Sequence, residues 1–154
     1  MTTVEAGLLA SLYWGGITVG RLLAAVAGGL VPVHRMLRAA LWSVALGVAL
    51  VWLDVNAGVT AFGLVLAGIA CGPIFPSLIA TTPGRVGAPH AANAVGFEIA
   101  ASAVGLSVVP GLVGVAASRL GIDMIARLFL GLAILLLVIY RLLDRSAPDA
   151  AAVE

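Results

Sequence analysis

Long apolar runs separated by short polar or glycine- and proline-bearing punctuation dominate the chain. Five runs stand out: Ala6 to Val33, Met36 to Leu53, Ala57 to Ala80, Ala91 to Ser118 and Ile122 to Leu143. Each has at least the roughly 17 residues that carry a helix across a bilayer. Between them lie Pro32-Val33-His34-Arg35, Asp54-Val55-Asn56, Thr81 to His90, and Arg119-Leu120-Gly121. Connections this short make neighbouring helices antiparallel and leave no room for a separate soluble domain. The pattern predicts an all-α integral membrane protein, a five-helix transmembrane bundle within residues 1–143. The small polar tail, residues 144–154, is expected to be disordered and cytoplasmic.

Composition sharpens this. Of 154 residues, 62% are hydrophobic and 10% charged, and mean hydropathy is +1.19. Soluble domains carry about 25% charged residues, so these charges are too few to cover a water-facing surface, and the expected partner is the lipid bilayer. A net charge of +1 provides no basic field for nucleic acid. The single cysteine, Cys71, excludes an intramolecular disulfide and a multi-cysteine metal site, and reads as a small core residue. No metal or other cofactor is expected. The first residues lack the positive region of a signal peptide, and the apolar run behind them is too long for one.

Arginine placement predicts orientation, because short cytoplasmic loops accumulate positive charge. Arg35 and Arg38 follow the first span, Arg85 the third, and Arg141 and Arg145 the fifth; all three connections fall on one side. The other side offers Arg119 and, just inside the fifth span, Arg127. The C-terminus is therefore expected in the cytoplasm, in a membrane of the bacterial inner (plasma) type, with Met1 outside. An outside N-terminus without a cleavable signal would be natural if a further span preceded Met1.

The stretch Ala6-Gly7-Leu8-Leu9-Ala10-Ser11-Leu12-Tyr13-Trp14-Gly15-Gly16-Ile17-Thr18-Val19-Gly20-Arg21-Leu22-Leu23-Ala24 resembles the eighth helix of major facilitator superfamily transporters, closest to the fucose-permease-like branch of sugar:proton symporters. Gly72-Pro73-Ile74-Phe75-Pro76-Ser77-Leu78-Ile79-Ala80 resembles the cytoplasmic half of the tenth helix, and Ala91-Ala92-Asn93-Ala94-Val95-Gly96-Phe97-Glu98 the start of the eleventh. The resemblance runs to about Leu143. It implies helices eight to twelve, most of the C-terminal half of that fold, without helix seven or the N-terminal half. The loop after the first span departs from the family pattern: Gly28-Gly29-Leu30-Val31-Pro32 precedes His34-Arg35, and the usual acidic residue is missing.

Several residues are candidates for a substrate and proton pathway. Arg21 stands inside the first span, and an arginine near the bilayer centre costs about 2.5–3.5 kcal/mol, so it should face a cavity or a partner, or else snorkel to the headgroups. Trp14, Thr18 and Arg21 share one helical stripe; the resemblance implies a sugar path there, with the indole stacking on the solute and the guanidinium donating hydrogen bonds. Gly16 and Gly20, with Ala24, form a separate ridge suited to close helix packing. Glu98 is the one acidic residue far from any expected membrane surface. It is a candidate proton or solute carrier, a counter-ion for Arg21, or a structural group; the family commonly has an amide at this position. Asn93 lies about 140° around the helix from Glu98 and suits either a pathway role or a bond to a neighbouring helix. Pro73 and Pro76 should kink the third span and act as a gate or a passive bend, and Pro110 should bend the fourth.

The expected activity is secondary active transport of a small polar solute, sugar-like and proton-coupled, by alternating access. The expected partners are the solute and either a missing N-terminal half or a second copy of the chain. The alternatives are a non-transporting membrane scaffold or assembly partner, and an inactive fragment. An enzyme is not expected: the chain has no phosphate loop, no His-Glu-x-x-His and no Gly-x-Ser-x-Gly.

Overall fold

A computed structural model describes residues 3–146, with side chains described to residue 143. Five helices follow one another: α1 (Thr3–Ala27), α2 (Val33–Leu53), α3 (Ala57–Val86), α4 (Ala88–Leu120) and α5 (Met124–Ser146). All five are long and apolar enough to cross a membrane. Of the expected tail, Asp144 to Ser146 continue α5, and residues 147–154 lie outside the described residues.

The largest departures from the sequence expectation are at the end of α1 and between α3 and α4. α1 stops at Ala27 rather than Val33, because Gly28 and Gly29 release the chain into a turn in which the Leu30 and Val31 N–H groups donate to the Ala27 carbonyl. The segment from Thr81 to His90, expected as a loop, is almost entirely helical. α3 runs on to Val86 and α4 begins at Ala88, leaving Gly87 as the whole connection. Gly87 has φ +81°, a conformation open to glycine at little cost, so one residue turns the chain. α3 and α4 have 30 and 33 residues. At 1.5 Å per residue they reach about 45 and 50 Å, longer than the roughly 30 Å hydrocarbon core.

α3 is the centre of the bundle. α1 and α2 pack extensively on it, α5 packs on α2, and α4 touches α3 and α5 lightly. Glycine seams make the central contacts close. Gly47 of α2 and Gly63 of α3 face each other, and a Cβ on either would lie 2.7 Å from the other's carbonyl oxygen. Gly16 and Gly20 are buried on α3, as the ridge on α1 predicts. A small core of Leu37, Leu41, Leu137 and Tyr140 joins α2 to α5, with Ile74 and Leu78 of α3 packed against it.

Elsewhere the apolar side chains face outward. α4 has no buried residue, and Phe97, Leu106 and Leu112 stand exposed along it. Such a surface is tenable in lipid, where association relies on packing and not on removing apolar area from water.

The α2–α3 turn falls where the sequence places it, at Asp54-Val55-Asn56. Asp54 ends α2 in the left-handed conformation, and the Asn56 side chain accepts from the Val59 N–H at 3.0 Å. The Thr60 hydroxyl donates to Asp54 Oδ1 at 2.6 Å. Because this cap satisfies a helix-end donor, Asn56→Ala should lower stability by about 1 kcal/mol in detergent unfolding, whereas Asn56→Asp should be nearly neutral.

Candidate functional site

The polar chemistry inside the helices concentrates where α4 meets α3. Glu98 is half-buried on α4. Its Oε1 accepts a hydrogen bond from the Thr82 hydroxyl of α3 at 2.6 Å. That separation falls within the short range of charge-assisted O–H···O bonds. Glu98 Oε2 is shielded from solvent and finds no hydrogen-bond partner among the described residues. A buried polar atom left without a partner costs about 1–3 kcal/mol, more when charged. The arrangement is therefore one donor short of satisfaction.

α3 supplies this site through an unusual local sequence. Pro73, Pro76 and Pro83 all lie inside the helix. Each proline lacks an N–H, so the carbonyl four residues earlier loses its helical bond; here those carbonyls belong to Ile69, Gly72 and Ile79. Next to the last of these, the Thr81 and Thr82 hydroxyls both donate to the Leu78 carbonyl, at 2.9 and 3.1 Å. The Thr82 hydroxyl has one proton and divides it between Leu78 and Glu98. Thr82 and Ser77 are both buried, a polar strip on the part of α3 that the prolines loosen. The prolines do not divide α3 into separate helices.

The other sequence candidates fall elsewhere. Trp14, Thr18 and Arg21 do share a face of α1, but that face is exposed and points away from α3. The Thr18 hydroxyl bonds back to the Trp14 carbonyl at 3.2 Å, and the Trp14 ring meets Tyr13 edge-on at 5.9 Å. With α1 ending at Ala27, Arg21 lies about one and a half turns from the helix end, roughly 9 Å at 1.5 Å per residue. This is shallower than the expected depth, and within easier reach of headgroups by snorkelling. The ion pair between Arg21 and Glu98 is not formed: one carboxylate oxygen is held by Thr82 and the other has no partner. Asn93 is exposed on α4. Pro73 is buried and Pro76 exposed, so only the former faces another helix.

Three contacts had no signal in the sequence. Thr82 falls in a segment whose prolines and glycines suggest a loop, yet it is the partner of Glu98. The Arg141 guanidinium of α5 lies 5.1 Å from the centre of the Trp42 ring of α2, a cation–π distance. The Tyr140 hydroxyl donates to the His34 carbonyl at 3.4 Å. The last two hold the C-terminal part of α5 against α2, and the Tyr140 bond reaches the start of α2.

No family model, curated protein or solved structure matches this chain.

Proposed function

We propose that the chain forms part of a secondary transporter, resembling the C-terminal half of a fucose-permease-like major facilitator protein, and that it helps move a small sugar-like solute together with protons. The observation that carries this reading is the Glu98 carboxylate, set on a membrane-spanning helix with one oxygen held by Thr82 and the other buried without a donor. Ionisable groups inside a membrane are costly and mark ion or solute pathways. The unsatisfied oxygen is the atom that an arriving proton or a solute hydroxyl would complete. The adjoining stretch of α3 carries three prolines in eleven residues, and broken or loosened helices are where transporters build their sites. On this reading the membrane is a bacterial inner membrane and the arginine-rich ends are cytoplasmic. The remaining half of the pathway comes from another polypeptide or from a second copy of the chain.

The test is proteoliposome uptake of a sugar panel by the complete transporter, with and without an inward proton gradient. Uptake should rise with the gradient, and Glu98→Gln should abolish that rise while leaving gradient-independent exchange. Gradient-driven uptake that is unchanged in Glu98→Gln would refute the role of Glu98, and no uptake of any sugar would refute the solute class.

A second reading, a membrane assembly partner without transport, has its own observation. Gly96, Ala100, Ala103, Ser107, Gly111 and Gly114 line up along one exposed stripe of α4. Nothing lies within 4 Å of where a Cβ would sit on Gly96, Gly111 or Gly114, in contrast to the covered glycines of α1, α2 and α3. Small-residue stripes of this kind let transmembrane helices approach closely. Cysteine cross-linking along the stripe, in membranes whose uptake is also measured, separates the two readings.

A further inference from the structure

α1 and α2 both pack on α3 rather than on each other, so a cleft remains between them. Its floor is α3 and its volume is about 220 Å³. Leu23, Ala24 and Ala27 form one wall, Met36 and Ala39 the other, and Ile69 part of the floor. Among the described lining residues, Ser43 is the one polar side chain. The cleft is open to the outside of the bundle, since Leu23 and Ala39 on its two walls are exposed.

We infer that this cleft is a binding site for an anionic phospholipid, one acyl chain lying between α1 and α2 and the headgroup held at Arg35. Three observations lead there. First, the lining comes from inside three membrane-spanning helices. Whatever fills it must be apolar, because an empty cleft would forfeit packing contacts on every wall and water would find a single hydroxyl to bond. Second, a sugar would lack polar partners along this lining, whereas a stretch of hydrocarbon chain lying in an open cleft needs none. Third, the cleft runs to the end of α1 at Ala27 and to the first turn of α2 at Met36. Arg35 stands there, one helical turn before Ala39 on the same side of α2, and is exposed. A guanidinium at the membrane surface beside an apolar cleft complements a phosphate with its chain below, the arrangement by which basic sites between transmembrane helices take acidic lipids. The inference goes beyond the transport reading and holds whether or not the chain moves a solute.

Native mass spectrometry of the purified full chain tests it, after delipidation and titration with phosphatidylglycerol or phosphatidylcholine. One phosphatidylglycerol should bind in preference to phosphatidylcholine. Arg35→Gln should weaken phosphatidylglycerol about fivefold, the effect of one surface cation, and leave phosphatidylcholine unchanged, while Arg35→Lys retains most of the preference. Ala39→Phe, which fills the cleft, should abolish retention of both lipids. If Ala39→Phe does not fold, the two Arg35 variants decide alone, since that side chain is exposed. Equal binding of the two lipids by the wild type, an Arg35→Gln variant with undiminished preference, or a dimer in place of a lipid adduct that Ala39→Phe dissociates would each overturn the proposal.

Discussion

Gly20→Ala should destabilise the protein by at least about 1–3 kcal/mol, whereas Gly15→Ala, five residues earlier on the same helix, should stabilise it by up to about 1 kcal/mol. Within a helix alanine is favoured over glycine by roughly 0.5–1 kcal/mol, and that preference alone governs Gly15, where an added Cβ meets nothing within 4 Å. At Gly20 the added methyl would run into the carbonyl and Cα of Ile69 on α3. The obstacle is backbone, which cannot rotate aside as a side chain can, so the helices must separate or shift; overpacking of this kind typically costs 1–3 kcal/mol and sometimes more. The Ile69 carbonyl is also the one that Pro73 deprives of its helical partner, so the proline and the glycine belong to one contact: the freed oxygen lies against Gly20, which has no side chain to keep it away. Gly72 faces α1 in the same way, with an added Cβ 2.7 Å from the Ile17 carbonyl oxygen, and Gly72→Ala should resemble Gly20→Ala. Unfolding in mixed micelles with increasing SDS fraction gives both values. A Gly20→Ala variant as stable as Gly15→Ala would mean that α1 and α3 do not approach as closely as described.

This pair of residues also shows what the sequence could and could not convey. The five spans were legible because crossing a bilayer sets a minimum apolar length, which each run meets. The face of α1 that carries Gly16 and Gly20 was legible because spacings of three and four residues fix a stripe. Which helix covers that stripe was not, since α1 has no mark that distinguishes α3 from α2 as its neighbour. The segment from Thr81 to His90 misled for a physical reason. Pro83, Gly84, Gly87 and Pro89 read as turn residues by the rules of water-soluble chains, where solvent satisfies released backbone groups. Inside a bundle, neighbouring helices and side chains surround such residues instead of water; here the Thr81 and Thr82 hydroxyls bond the Leu78 carbonyl, beside the Ile79 carbonyl that Pro83 frees. Reading those ten residues as a loop hid Thr82, and with it the partner of Glu98. Glu98 itself was legible by isolation, as an acid deep in an apolar run. The spacing of Trp14, Thr18 and Arg21 makes their shared face of α1 legible, but no helix of the described chain covers it. Its proposed contact with solute therefore depends on what lies opposite.

Thr82→Val should lower stability by about 2 kcal/mol or more, and adding Glu98→Leu to it should recover most of that loss. Removing the hydroxyl leaves Glu98 with both oxygens short of donors in a shielded site. The unmet desolvation of a polar group costs about 1–3 kcal/mol, and more when the group is charged. Replacing both partners by apolar groups of similar shape removes that penalty, and such exchanges are close to neutral or stabilising. The double variant should thus be more stable than Thr82→Val, and any recovery beyond the effect of Glu98→Leu alone measures the coupling of the two side chains. The comparison also separates structure from function. If Glu98 existed to hold α4 against α3, then Glu98→Leu in an otherwise native chain would be strongly destabilising, because α4 has few other contacts there. If Glu98 is held for transport at a cost in stability, the same substitution should leave the protein as stable as the wild type or more so, while abolishing gradient-driven uptake. The orphaned Oε2 favours the second outcome, since a purely structural carboxylate gains nothing from an oxygen that bonds to no one. Equilibrium unfolding of the four chains of the Thr82/Glu98 cycle, run beside uptake by the same preparations, decides between them.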